Sequence, residues 1–87
     1  MGYRNRLHDF YMDHQLSREI RMVINRDRHL SSVAKNVRVI VHDGIVTLQG
    51  EVFSEEEQMV IDRAAVVVAG LGQVIDQIHV INQEIDE

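Results

Sequence analysis

The segment from Val37 to Gly50 constrains the fold more tightly than any other part of the chain. Asp43-Gly44 stands between two alternating runs of β-branched residues. A two-residue type I′ turn needs positive φ at both central positions, which Asp tolerates and Gly adopts freely, so the pattern predicts a β-hairpin closed at Asp43-Gly44. Counting outward from the turn pairs His42 with Ile45, Val41 with Val46, Ile40 with Thr47, Val39 with Leu48, Arg38 with Gln49 and Val37 with Gly50. Side chains alternate with period 2, so Val37, Val39, Val41, Val46 and Leu48 share one apolar face, and a one-residue slip would turn the whole set to solvent.

The residues on either side of this segment, 1–36 and 51–87 of the 87-residue chain, must supply what covers that face. Asp13 is expected to cap a first helix in which Leu16, Ile20, Val23 and Ile24 form a stripe at 3.6-residue spacing, with Arg18, Arg21, Asn25 and Arg28 opposite. This helix should stop near Arg28, where His29, Leu30, Ser31 and Ser32 read as a loop, and Val33 should turn back into the core. Residues 1–11 hold three of the four aromatics with Arg4 and Arg6, show no sustained period, and are expected to form an arm.

After the hairpin, Ser54-Glu55-Glu56-Glu57 has the form of a capping box, with Ser54 and Glu57 exchanging hydrogen bonds at the start of a second helix. The acidic first turn suits the helix dipole. Val60, Ile61, Ala64, Val67 and Val68 are expected to form its buried stripe, centred on Ala64, and Gly70 to end it in the left-handed conformation. Gly50, opposite Val37, leaves room for a close approach of this helix. A third strand follows over Gln73–Ile81, with a bulge or twist expected at Asp76-Gln77, where the alternation breaks.

The order α-β-β-α-β calls for an α+β two-layer domain: a three-stranded mixed sheet with both helices packed on one face and the third strand parallel to the second. The other sheet face is left open.

Charge is divided along the chain. Residues 1–43 carry eight Lys/Arg against five Asp/Glu, and residues 44–87 carry one against nine, within a net charge of −5. Few basic residues lie on the strands and no aromatics stack there, which argues against nucleic-acid binding. There is no Cys, no apolar run long enough to span a membrane, and no signal-peptide core in the first twenty residues. A mature fragment of a secreted precursor would look the same, so the sequence leaves the periplasm or cell envelope and the cytoplasm both open.

In the hairpin signature Val41-His42-Asp43-Gly44-Ile45-Val46-Thr47-Leu48-Gln49-Gly50-Glu51-Val52, the helix before Leu30-Ser31-Ser32-Val33, the capped helix from Ser54 and the ending Gly70-Leu71-Gly72-Gln73-Val74-Ile75-Asp76-Gln77-Ile78-His79-Val80, the chain resembles a BON domain. This family is named from bacterial osmotically inducible and nodulation proteins. The resemblance covers about residues 16–81 and implies a non-catalytic module of bacterial envelope and osmotic-stress proteins, often fused or repeated, and suspected of contacting phospholipid. It places a domain at 12–82 and an acidic tail at 83–87.

No nucleophile elbow, phosphate loop or paired zinc-ligand motif occurs, and no cofactor or metal site is expected. Five His residues, at positions 8, 14, 29, 42 and 79, are numerous, but nothing in the sequence places the strand pair His42 and His79 side by side. Helix capping accounts for Glu55–Glu57. The functional lead is surface: Ile40, Ile45 and Ile75 on the open sheet face, with Met59, Val66 and Leu71 on or after the second helix. Arg4, Arg6, Arg18 and Arg21 are the candidates for lipid contact. Three readings follow: attachment to a phospholipid surface or protein partner, self-association through the open face, and a small-ligand or ion sensor.

Overall fold

A computed structural model describes residues 6–28, 30, 33–70 and 72–81, with the backbone alone for 6–10. The elements run α1 (Arg6–Arg26), a 3-10 turn (Ala34–Asn36), β1 (Val37–His42), β2 (Ile45–Val52), α2 (Glu55–Ala69) and β3 (Val74–Val80). The sheet order is β1-β2-β3, antiparallel between β1 and β2 and parallel between β2 and β3. This is the mixed two-layer architecture expected from the sequence.

The hairpin has the expected register, from His42 opposite Ile45 to Val37 opposite Gly50. Its turn has φ 53° at Asp43 and 79° at Gly44, as a type I′ loop requires. Val37, Val46 and Leu48 are fully buried, and Val39 and Val41 pack at the margin of the same core. From the other layer come Ile20 and Ile24 of α1 and Ile61, Ala64 and Ala65 of α2, and Leu30 and Val33 join the same core. The α1 helix packs on β1 and α2, while α2 packs on β2 and β3.

Several expectations need correction. The first helix begins at Arg6, so residues 6–11 belong to α1 and Asp13 lies inside it. Asp13 caps a different set of orphan donors: its Oδ2 accepts from the Asp43 amide at 2.9 Å and its Oδ1 from the Gly44 amide at 3.0 Å. Val23, expected on the buried stripe, is 38 % exposed, and Leu30, which lies in the turn after α1 as expected, is buried at 2 % exposure. On α2 the buried stripe is rotated, because Val67 is 76 % exposed and Ala65 is fully buried. Two alanines, Ala64 and Ala65, thus form the close contact of the helix with the layer beneath.

Gly50 serves a different contact from the one expected. A Cβ there would overlap the Asn36 carbonyl oxygen and lie 2.9 Å from the Val37 Cα, and its φ is +138°. The missing side chain admits the backbone entering β1, not α2. Gly70 ends α2 with φ 105° and ψ 154°, outside the left-handed helical region, and its amide donates to the Val66 carbonyl at 2.7 Å. At the other end of α2 the capping box is present: Ser54 Oγ accepts from the Glu57 amide at 3.1 Å, and Glu57 Oε1 accepts from the Ser54 and Phe53 amides at 3.1 and 2.8 Å.

No bulge interrupts β3, which pairs without offset from Val74 opposite Val46 to Val80 opposite Val52. The Gln73 carbonyl and the Ile81 amide bond to β2, so the even-numbered residues between them direct their main-chain groups to the free edge. At Ile78 that edge is occupied by side chains. Asp76 Oδ1 accepts from the Ile78 amide at 3.0 Å, and Gln58 Nε2 of α2 donates to the Ile78 carbonyl at 3.2 Å. The polar residue that breaks the alternation is therefore an edge plug.

Asp76 also acts on Asp62 of α2. Burial raises the Asp62 pKa above its ordinary value, and the nearby Asp76 charge and a hydrogen bond with that carboxylate raise it further. The folded state thus binds this proton more tightly than the unfolded chain does. The stability this contributes is present in full below the unfolded pKa and is lost as pH rises through the folded one. Asp62→Asn, which keeps a hydrogen-bond donor and removes the charge, should raise the melting temperature at neutral pH. In thermal denaturation across pH, that gain should shrink as the wild-type carboxyl becomes protonated. By contrast, Gly50→Ala should lower the unfolding free energy by about 2 kcal/mol or more, because backbone atoms at the contact cannot swing aside; chemical denaturation of the variant measures this.

Candidate interaction surface

The sheet has one face under the helices and one face uncovered by any described residue. Register places the side chains of the uncovered face in rows. Ile40, Thr47 and Ile75 form one row across the three strands, and Arg38, Gln49 and Gln77 form the next. Ile45 lies two residues before Thr47 on the same face, diagonal to both Ile40 and Ile75. Three isoleucines therefore surround Thr47. Ile40 is 41 % and Ile75 47 % exposed, and Ile45 is half-buried. Adjacent strands lie about 4.8 Å apart, so Ile40 and Ile75 are separated by roughly 10 Å, a span that one threonine side chain bridges.

Polar groups border this apolar centre. Gln49 Nε2 donates to Gln77 Oε1 at 3.1 Å, tying β2 to β3 across the exposed face. Arg38 is exposed on β1, and Glu51 and His79 face each other at the far end. There a shallow hollow is lined by Asn36, Gln49, Gly50, Glu51, Gln77 and His79, among others. His42 pairs with Ile45 at the opposite end, so the two strand histidines lie apart, as the sequence left them.

The remaining candidates do not join this face. Met59 is 58 % exposed and Val66 half-buried on α2, while Leu71 lies outside the described residues. Arg4 also lies outside them, and Arg6 opens α1. Arg18 is exposed on α1 and lines a shallow groove with Tyr11, His14, Gln15, Glu19 and Met22. Arg21 is committed elsewhere. Its guanidinium donates to the Ala34 carbonyl at 3.2 Å and to the Val37 carbonyl at 2.6 Å, charge-assisted bonds that fasten α1 to the start of β1. Half-buried Arg21 thus has a structural role at this joint.

Sequence reasoning missed the exposed Val67, Phe53, Met12 and Met22 as surface apolar residues. Val67 carried a misleading signal, since hydrophobicity alone assigns it to the core, and Ala65, two residues earlier, carried almost none.

Among the described residues no helix is long and apolar enough to cross a membrane. A search of curated proteins finds no match to this chain. The model of the BON domain family, in contrast, matches residues 12–82, which include the hairpin, the capped α2 and β3, and on that match the chain belongs to the BON domain family.

Proposed function

We propose that this BON domain is a non-catalytic binding module, one that attaches the protein carrying it to a protein partner or a phospholipid surface in the bacterial envelope or stress response. The observation that carries the reading is the uncovered sheet face, where Ile40, Ile45 and Ile75 gather around Thr47 within a polar border. Apolar residues scattered singly on a surface need no explanation, whereas a contiguous group ringed by polar side chains is the usual form of a contact site. Plugs at Val37 and Ile78 act against strand addition at the two sheet edges. Docking by the face is thus favoured over docking by an edge, for a partner or for a second copy of the domain.

A second reading rests on α1. Exposed Tyr11, Arg18 and Met22 share one groove, and this mixture of aromatic, basic and apolar side chains suits a headgroup region. Arg4, Arg6 and Arg18 are the candidate cations left to favour anionic lipid once Arg21 is engaged with carbonyls.

Vesicle flotation with anionic and neutral lipids, run beside analytical sedimentation, separates these routes. Ile40→Lys with Ile45→Lys should leave the circular dichroism spectrum and cooperative melting unchanged and abolish self-association or partner capture by the sheet face. Retention of binding by that variant would remove the face from consideration. Flotation on anionic vesicles that falls as salt rises several-fold would support the α1 route, because exposed charges are screened over about 8 Å at physiological ionic strength.

A further inference from the structure

We propose that His42, Asp43 and Asp13 form a binding site for a zinc-class divalent transition metal at the junction of α1 with the hairpin turn. One ligand atom from each residue lies within 4.8 Å of the other two. His42 Nε2 and Asp43 Oδ2 are 3.4 Å apart. That is long for a hydrogen bond, but it is the separation of two ligands on a tetrahedral ion: bonds of about 2.1 Å to imidazole nitrogen and carboxylate oxygen put the donor atoms roughly 3.4 Å from each other.

The arrangement is built from ordered elements. Asp13 is held by the Asp43 and Gly44 amides, one on each carboxylate oxygen, and each oxygen keeps a further lone pair. The positive φ of the turn sets the main chain at Asp43, and His42 ends β1. The His42 side chain is 87 % exposed, so an ion reaches the site from solvent without opening the fold. A cleft beside it is lined by Asp13, His14, Ser17, Val41 and His42, placing a second histidine at the rim.

The donor set selects the class of ion. One imidazole nitrogen with two carboxylates matches zinc and its neighbours, whereas calcium and magnesium take oxygen ligands. Three protein ligands leave the fourth position to water. A bound ion would join α1 to the β1–β2 turn, and because it binds the folded chain it would stabilise the domain by mass action. This inference is independent of the docking reading.

The test is calorimetric titration of the full chain with zinc chloride, with cobalt(II) absorption as a second readout and melting temperature as a third. Saturable uptake of one equivalent is expected, with a rise in melting temperature. His42→Gln and Asp43→Asn should each weaken it at least tenfold; the asparagine keeps the turn, since it also tolerates positive φ. His79→Gln, at the other end of the sheet, should leave the affinity unchanged. Absence of saturable uptake, or uptake that survives His42→Gln, would overturn the site.

Discussion

The pairing of β1 with β2 in a single register is the constraint on which the rest of this structure depends. Shifted by one residue, Val37, Val46 and Leu48 would face water and the isoleucines would face the helices. The turn at Asp43-Gly44 sets that register locally, and Asp13 holds it from outside by accepting both turn amides. At the opposite end of β1, Arg21 grips the Ala34 and Val37 carbonyls, and Gly50 admits the backbone that enters the strand. One strand is thus fastened at its entry and its exit by side chains of the same helix. The position of α1 on the sheet follows from those two polar contacts as much as from Ile20 and Ile24.

Much of this was legible in the sequence because it is local. The turn, the register, the capping box and the order of the elements each depend on residues within a few positions of one another, and each is found as expected. What escaped reading is non-local or concerns helix rotation. Asp13 has the composition of an N-cap, and it does accept orphan amides, but those amides are thirty residues away in the hairpin turn. Arg21 reads as a solvated face residue because nothing nearby in sequence reveals that two carbonyls await it. Val67 and Ala65 show the limit of periodicity: four adjacent residues of α2, Ala65 to Val68, are all apolar, so the pattern does not fix which of them faces inward. Asp76 broke the strand pattern for a reason that only the edge contact explains.

The candidate surface divides in the same manner. The outward isoleucines follow from the hairpin register alone, so Ile40 and Ile45 were readable as neighbours. Ile75 joins them only through the parallel pairing of β3, which places it opposite Thr47. The cluster of His42, Asp43 and Asp13 was not readable, because two of its members adjoin in the turn and the third arrives from α1.

The division of charge along the chain also becomes a division in space. The basic half of the sequence contains α1 and β1, the acidic half contains β2, α2 and β3, and the sheet order β1-β2-β3 keeps β1 and β3 on opposite flanks because α1 packs on β1 while α2 packs on β2 and β3. Such a domain has a direction in an electric field even though its net charge is −5. An anionic surface attracts the flank bearing Arg18 and Arg38 and repels the flank bearing Glu55, Glu56 and Asp76. The isoleucine face spans the boundary between them, with Ile40 on the basic side and Ile75 on the acidic side. A partner covering this face, as proposed above, would meet opposite charges at its two ends, so charge would set the orientation of docking while the apolar centre supplied the contact.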